Sequence, residues 1–312
     1  MKNLLITGGA GFVGRHLADY LAGLGTYRVT VFDNESLGDR RHLDLDKVAF
    51  VPGDLRDAGQ VRAALAGQDA VVHLAADTRV MDSIEDPAHN FDNNVIGTFN
   101  LLQACRENGV GRVVAASTGG AIMGEVPPPV HEEMSPRPTS PYGASKLMME
   151  GYLSAFSESY GVSGCALRFS NIYGPRSFHK GSVVAHFYKR VLAGDPLVVY
   201  GDGSQTRDYL YVGDLVEAIR AAVESDVTGP HQLGSGMPTS LNSLIDGMRE
   251  ATGRDLEVVY EDFRAGEVRN TWCQIDKARA AFGYNPTTPL SEGLKVTWEW
   301  FLRAAEDPTL AR

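Results

Sequence analysis

The sequence has only three cysteines, Cys105, Cys165 and Cys273, in 312 residues. They are odd in number, far apart and without metal-type spacing, which argues against a disulfide framework and fits a reducing compartment. No metal is expected. No apolar run reaches the roughly 18 residues that would cross a bilayer, so no membrane association is expected. The opening Met1-Lys2-Asn3-Leu4-Leu5-Ile6-Thr7 runs straight into glycines, too short an apolar stretch for a signal peptide. A cytoplasmic location is the default expectation. Basic excess is missing too. The formal net charge is -10, whereas nucleic-acid binding usually wants a basic face. Any anionic ligand must therefore be held by local arginines and backbone amides. Low-complexity tracts and internal repeats are absent, so the chain is expected to fold as one large domain or two modest ones.

What the sequence has is alternation. Asn3 to Thr7, Arg28 to Phe32, Val48 to Pro52, Ala70 to Leu74 and Arg112 to Ser117 read as buried strands. Each precedes a segment with helical periodicity, such as Gly11 to Leu24 or Asn94 to Asn108. That spacing predicts βαβ units and an α/β, Rossmann-like doubly wound parallel sheet. A long helix from Pro141 to Tyr160 leads into a further strand, Val162 to Phe169. Beyond Asn171 the elements shorten and glycine- and proline-rich loops separate them, through to a last helix around Leu290 to Arg303. We expect a cofactor domain over residues 1–170, with a return segment near 210–234, and a smaller C-terminal substrate-binding domain over 171–312.

Thr7-Gly8-Gly9-Ala10-Gly11-Phe12-Val13-Gly14 follows the first strand and opens the first helix. Glycines there allow a tight turn, a close approach to pyrophosphate and packing of helix on strand, and the helix N-terminus meets the negative charge. Asp33 ends the second strand, where a carboxylate would bind an adenosine ribose and repel a 2′-phosphate. This favours NAD over NADP. Arg40 and Arg41 could argue the other way, or be solvated loop charges. Asp54-Leu55, after the third strand, could reach the adenine edge or be structural.

Tyr142-Gly143-Ala144-Ser145-Lys146 places a phenol and an ammonium one helical turn apart on one face. Pro141 suits a first helical position, with Thr139 or Ser140 as cap. A free tyrosine titrates near pH 10 and is a poor base at neutral pH, but an adjacent cation favours its phenolate. Alone, the pair is a common helical pattern.

With these pieces in place, the chain resembles an extended short-chain dehydrogenase/reductase of the NAD-dependent sugar-nucleotide epimerase/dehydratase family. The resemblance also includes His73-Leu74-Ala75-Ala76, Asn93-Asn94-Val95-Ile96-Gly97-Thr98, Ser117-Thr118-Gly119-Gly120, Arg168 to Pro175 and Gly201 to Tyr209. It implies that Tyr142 is the catalytic base and acid, with Lys146 binding the nicotinamide ribose and lowering the phenol's pKa. Thr118, or failing that Ser117, would bond the reacting C4 hydroxyl. The cofactor would be lined by Gly8, Gly11, Phe12, Val13, Gly14, Asp33, Asn34, Asp54, Leu55, Leu74, Ala75, Ala76, Asn94 and Phe169. Asn171 and Val183 would contact the nucleotide sugar, Arg207 and Arg264 would clamp its diphosphate, and Glu267 would take the uridine ribose.

Within the family, dehydratases carry Thr-Asp-Glu where this chain has Thr118-Gly119-Gly120. Elimination needs a general acid and base near C5 and C6, which glycines cannot supply. The resemblance therefore implies a 4-epimerase acting on a UDP-hexose through a 4-keto intermediate. A dehydratase, or another oxidoreductase that releases a keto sugar, is the alternative, with a non-catalytic NAD-binding sensor as a third. Thr271 matches a wall position where a bulky residue excludes N-acetyl groups, so a small side chain there implies room for them. Three positions depart from the family pattern: Met123, where tyrosine is usual, the charged Asp77-Thr78-Arg79, and the loop Phe178 to Val183. His179 in that loop reads as a phosphate-region or loop residue rather than a catalyst. The helices Asp92 to Asn108 and Pro141 to Tyr160 resemble those of a homodimer interface, although an apolar stripe equally fits internal packing.

Overall fold

Leu4, Leu5 and Ile6 of β1 (Lys2–Thr7) are all completely buried, as a central parallel strand covered on both faces requires. The computed structural model describes residues 1–263, 269–307 and 309–311. After β1 come α1 (Phe12–Leu24), β2 (Tyr27–Asp33), β3 (Ala49–Pro52), α2 (Ala58–Ala64) and β4 (Ala70–His73). Two short helices, α3 (Val80–Glu85) and α4 (Pro87–Asn90), run into a π-helical turn at Phe91–Ile96. Then follow α5 (Gly97–Asn108), β5 (Arg112–Thr118), α6 (Pro141–Tyr160) and β6 (Ser163–Phe169). The helix expected from Asn94 thus begins as a π turn, a local widening that often marks a functional position. Asn94 is buried there.

The second half contains β7 (Asn171–Tyr173), α7 (Val183–Ala193), β8 (Leu197–Tyr200), β9 (Thr206–Arg207), β10 (Tyr209–Tyr211) and α8 (Val212–Glu224). It ends with β11 (Gly229–Leu233), β12 (Thr239–Ser240), α9 (Leu241–Thr252), β13 (Val258–Glu261), α10 (Asp276–Phe282) and α11 (Leu290–Glu306).

Seven parallel strands form one sheet in the order β3-β2-β1-β4-β5-β6-β11. The last strand comes from the second half of the chain, and Leu233 sits opposite Phe169. Side chains alternate across the sheet. Leu4 and Ile6 join Leu17 and Leu21 of α1 and Ile219 of α8, while Leu5 joins Leu101 of α5 and Met149 and Leu153 of α6. Each such buried leucine contributes about 2 kcal/mol by removal from water. The order reverses between β1 and β4, which opens a crevice at the strands' C-terminal ends, where such sheets bind ligands. A separate apolar cluster around Tyr188, Met248, Trp298 and Phe301 supports the short strand pairs β7–β10 and β8–β13, while β9–β12 forms a third pair. Among the described residues no helix is long and apolar enough to cross a membrane.

Candidate active site

The chain must turn from β1 into α1 within four residues, and the glycines decide how. Gly8 has φ +68°, and a Cβ there would lie 2.6 Å from the Ala75 nitrogen. Gly14 lies against the Gly8 carbonyl with no room for a Cβ. Gly11 meets only that carbonyl, at 3.2 Å, and otherwise faces open space. No side chain caps α1, so the amides of its first turn, from Phe12 to Gly14, stand open to an anion.

Asp33 is buried at the end of β2 and accepts the Ala10 N–H at 3.0 Å and the Glu35 N–H at 2.7 Å. Burial raises its pKa, against the pull of those two bonds. A carboxylate has about four acceptor sites, so it can still take ribose hydroxyls. Arg40 is engaged by Glu35 and Arg41 by Asp39. Neither guanidinium is a ready partner for a 2′-phosphate. This cradle fits a dinucleotide with an unphosphorylated adenosine ribose, the expected NAD. Asn34 Nδ2 donates to Asp54 at 3.1 Å, and Arg56 holds that carboxyl well below the usual range. Leu55 packs against Gly97 of α5.

Thr118 at the tip of β5 and Tyr142 in the first turn of α6 meet in the crevice. The Thr118 hydroxyl faces the Tyr142 phenol and favours its phenolate. Ser117, the alternative partner, is committed elsewhere. It donates to Glu150 at 2.6 Å, and Glu150 forms a buried ion pair with Arg168 at 2.7 Å. Ser140 caps α6, accepting the Gly143 N–H at 3.2 Å, with Pro141 at the first position.

Lys146 is also buried. Its ammonium donates to the Ala116 carbonyl at 2.9 Å and lies 5.9 Å from the Tyr142 ring centroid. Burial pulls its pKa down to about 8, with Glu150 acting the other way. One expectation is reversed in the protein alone: burial pushes the Tyr142 phenol up to about 12, and the Asp77 carboxylate adds to the rise. Desolvating a phenolate outweighs the favourable effect of Thr118.

Asn94 is fully engaged. Its Oδ1 accepts the Asp77 N–H at 2.8 Å, and its Nδ2 donates to the Asp77 carbonyl at 2.8 Å and to Ser145 at 3.2 Å. It splints the loop after β4 to the helix that carries Tyr142. Leu74 and Ala75 follow β4 against the Gly8 turn, with Ala76 half-buried beside them, and the Phe169 carbonyl accepts the Gly119 N–H at 2.9 Å. His73 is buried between Thr7 at 2.8 Å and Thr98 at 3.0 Å. Burial, then the Lys146 charge, lowers its pKa to about 3, so it is a neutral structural group.

Across the crevice, Asn171 binds the Asp208 carbonyl through its amide at 3.0 Å and its side chain at 3.2 Å. Arg207 bridges the carbonyls of Thr206 and Arg269, each at 2.9 Å. Val183 opens α7, whose cap residue Ser182 makes no side-chain cap bond. Thr271 and Met123 share one small cavity of about 30 Å³ with Gly120, Gly124, Val126, Val130 and Asn270. Met123 is entirely buried among Ile122 and Val130. Arg264 and Glu267 lie outside the described residues. His179 is exposed in the loop before α7.

Sequence reasoning missed the buried carboxylate of Asp208. It accepts from Ser235 N at 2.6 Å, Ser235 Oγ at 2.8 Å, Gly236 N at 3.1 Å, Cys273 N at 3.3 Å and Cys273 Sγ at 3.2 Å. No local signal marks it, because its partners lie 27 to 65 residues away. Glu150 was detectable: it stands one turn after Lys146 on the same helix face.

Residues 4–234 match the model of the NAD dependent epimerase/dehydratase family. The UDP-glucose 4-epimerase of Mycolicibacterium smegmatis is 36% identical over 307 residues, covering 95% of this chain and 97% of that one. Among solved structures, the Thermus thermophilus UDP-glucose 4-epimerase in complex with NAD is 39% identical with a TM-score of 0.89, covering 97% of this chain and 99% of that one. A UDP-N-acetylglucosamine 4-epimerase from Methanobrevibacter ruminantium, in complex with UDP-N-acetylmuramic acid, is 33% identical with a TM-score of 0.92, covering 97% of this chain and 98% of that one.

Proposed function

Because the chain belongs to the NAD-dependent epimerase/dehydratase family, we propose that it interconverts C4 epimers of a nucleotide sugar, a UDP-hexose being the substrate of choice. The cofactor is NAD, held by the Gly8 to Gly14 turn and Asp33. When bound, it accepts a hydride from the sugar and returns it, so the sugar passes through a 4-keto form. Tyr142 takes the C4 hydroxyl proton as the ketone forms and returns it to the same oxygen once the sugar has turned its other face to the hydride. Thr118 bonds the same hydroxyl and favours the phenolate. Lys146 is a cation below about pH 8 and favours the phenolate through its charge.

The carrying observation is the Thr118–Tyr142 hydroxyl pair followed by Gly119-Gly120, a proton-transfer pair with no acid–base couple beside it on β5. Two similar epimerases, of Mycolicibacterium smegmatis and Thermus thermophilus, support the UDP-glucose type. Asn171, Val183 and Arg207, with Arg264 and Glu267, are the residues we assign to the UDP-sugar, by bidentate guanidinium recognition of the diphosphate. Residues 1–170 and the return near 210–234 would serve the cofactor, and the remainder of 171–312 the sugar. We assign the aromatic face of α5 and α6, with Phe99 and Tyr152 each 40% exposed and Tyr160 48% exposed, to a homodimer contact, and the enzyme to the cytoplasm.

The test is incubation with UDP-, dTDP- and GDP-sugars without added cofactor, followed by separation and mass analysis. Isobaric C4 epimers are expected, and loss of water or carbon dioxide would refute the reading. The small Thr271 side chain, together with the similar UDP-N-acetylglucosamine 4-epimerase, supports acceptance of N-acetylated sugars as well. Thr271→Tyr should then lower kcat/KM for UDP-N-acetylglucosamine about tenfold or more while sparing UDP-glucose. Equal activity on both would remove Thr271 from the pocket wall.

A further inference from the structure

Tyr142, Lys146 and Glu150 stand on successive turns of α6, so all three share one face of the helix. Each meets the end of β5. Tyr142 faces Thr118, and the Lys146 ammonium donates to the Ala116 carbonyl at 2.9 Å. Glu150 takes the residue between them. Its Oε1 accepts the Ser117 hydroxyl at 2.6 Å and Arg168 Nε at 2.9 Å, and its Oε2 accepts Arg168 Nη2 at 2.7 Å. Arg168 lies opposite Ser117 in the β5–β6 register. One carboxylate therefore ties α6 to two neighbouring strands within a single row of the sheet.

Elsewhere on α6, Met149, Leu153 and Phe156 join the apolar cluster against the sheet. Burial of apolar surface is non-directional, so it presses the helix onto the strands without fixing its rotation or rise. Three directed, charge-assisted bonds fix both. Toward the loop after β4, Asn94 reaches Ser145 at 3.2 Å, and Glu150 is its counterpart toward β5. The Arg168 and Glu150 side chains are only 3% and 8% exposed, and desolvation offsets much of the attraction in such a buried pair. Among the described residues, Arg168 Nη1 is also buried without a hydrogen-bond partner, which costs stability. Stability is a poor account of this row. Placement is a better one.

We propose that Glu150 is a positioning residue for the proton transfer: by gripping Ser117 and Arg168 it sets the register of α6 that holds Tyr142 against Thr118 and Lys146 against Ala116. It acts through the helix rather than on the sugar. A slip of about 1 Å between reacting groups can lower a rate about 10²-fold. The inference rests on the 4-epimerase reading and adds the group that aligns its reacting pair.

Two holoenzyme variants separate alignment from stability. Glu150→Gln keeps the size and an acceptor for Ser117, but removes the charge that grips both Arg168 nitrogens. The double variant Glu150→Met with Arg168→Met replaces the pair by apolar side chains, which for buried pairs is often neutral or stabilising. In both, kcat for UDP-glucose is expected to fall about tenfold or more. KM and bound NAD should stay as in the wild type, and so should the unfolding temperature of the double variant. A wild-type kcat in either variant overturns the proposal. So does a rise in KM, or a loss of NAD or of folding in the double variant, because the pair would then serve the fold as a whole. A wild type that turns over no nucleotide sugar overturns the 4-epimerase reading itself.

Discussion

In the first 170 residues, groups are positioned by long parallel strands and the helices between them. In the half beyond Asn171, much of the positioning converges on one buried carboxylate. Thr118 and Tyr142 meet because β5 ends beside the first turn of α6, and both elements are held by extensive apolar contact. The strands around Arg207 are two or three residues long and bury too little to hold themselves. Asp208 fixes them, since it gathers donors from 235–236 and 273 while its carbonyl receives Asn171. On the proposed reading the difference separates chemistry from recognition. Thr118 and Tyr142 sit on a frame of long strands, whereas the second half is held through loops tied to the Asp208 carboxylate.

The sharpest way to break this comparison is at the reacting pair. Tyr142→Phe removes the proton donor and acceptor without altering the packing, so kcat should fall about 10³-fold. Bound NAD and the unfolding temperature should not change. A variant that stayed active would move the proton role to another residue.

The next test is at the carboxylate. Asp208→Ala leaves the buried N–H groups of Ser235, Gly236 and Cys273 without their acceptor. A loss of about 3 kcal/mol in denaturant titration is expected, from unpaired donors that cost roughly 1–3 kcal/mol each. KM for the UDP-sugar should rise while NAD stays bound. Parallel loss of NAD would show that the two halves are not organised separately.

The smallest effect concerns pH. The folded pKa of His73 is about 3, below its ordinary 6.5. Between these values the unfolded chain binds the extra proton, so stability falls as pH drops through that window. His73→Gln should reduce the slope of stability against pH by about 1.4 kcal/mol per unit between pH 4 and 6. An unchanged slope would mean that the cofactor frame tolerates a charged His73.

Much of the frame was legible in the sequence. The helix Pro141–Tyr160 has the expected bounds, set by Pro141, the Ser140 cap and Gly161 at φ +71°. Strands fell within a few residues of their expected ends, because continuous Val-, Leu- and Ala-rich runs between turn signals specify buried parallel strands. Other features were not legible. The π turn at Phe91–Ile96 interrupts an otherwise regular helical pattern, and local periodicity does not encode it. Thr118 was the expected partner of the reacting hydroxyl, with its neighbour Ser117 as the fallback. Strand pleating separates them, since neighbours on a strand face opposite sides, and only Thr118 meets Tyr142 while Ser117 turns to Glu150.

The sequence by itself determined the glycine turn, the carboxylate at the end of β2 and the Tyr142–Lys146 pair, because each depends on spacing within one turn or one strand. The tertiary structure alone decided that Asn94 would hold the backbone of Asp77, that burial would raise rather than lower the phenol's pKa, and that Asp208 would bind the second half together. Those outcomes depend on which strand ends lie side by side in the sheet and on how much water is excluded there. Neither quantity is set by neighbouring residues in the chain.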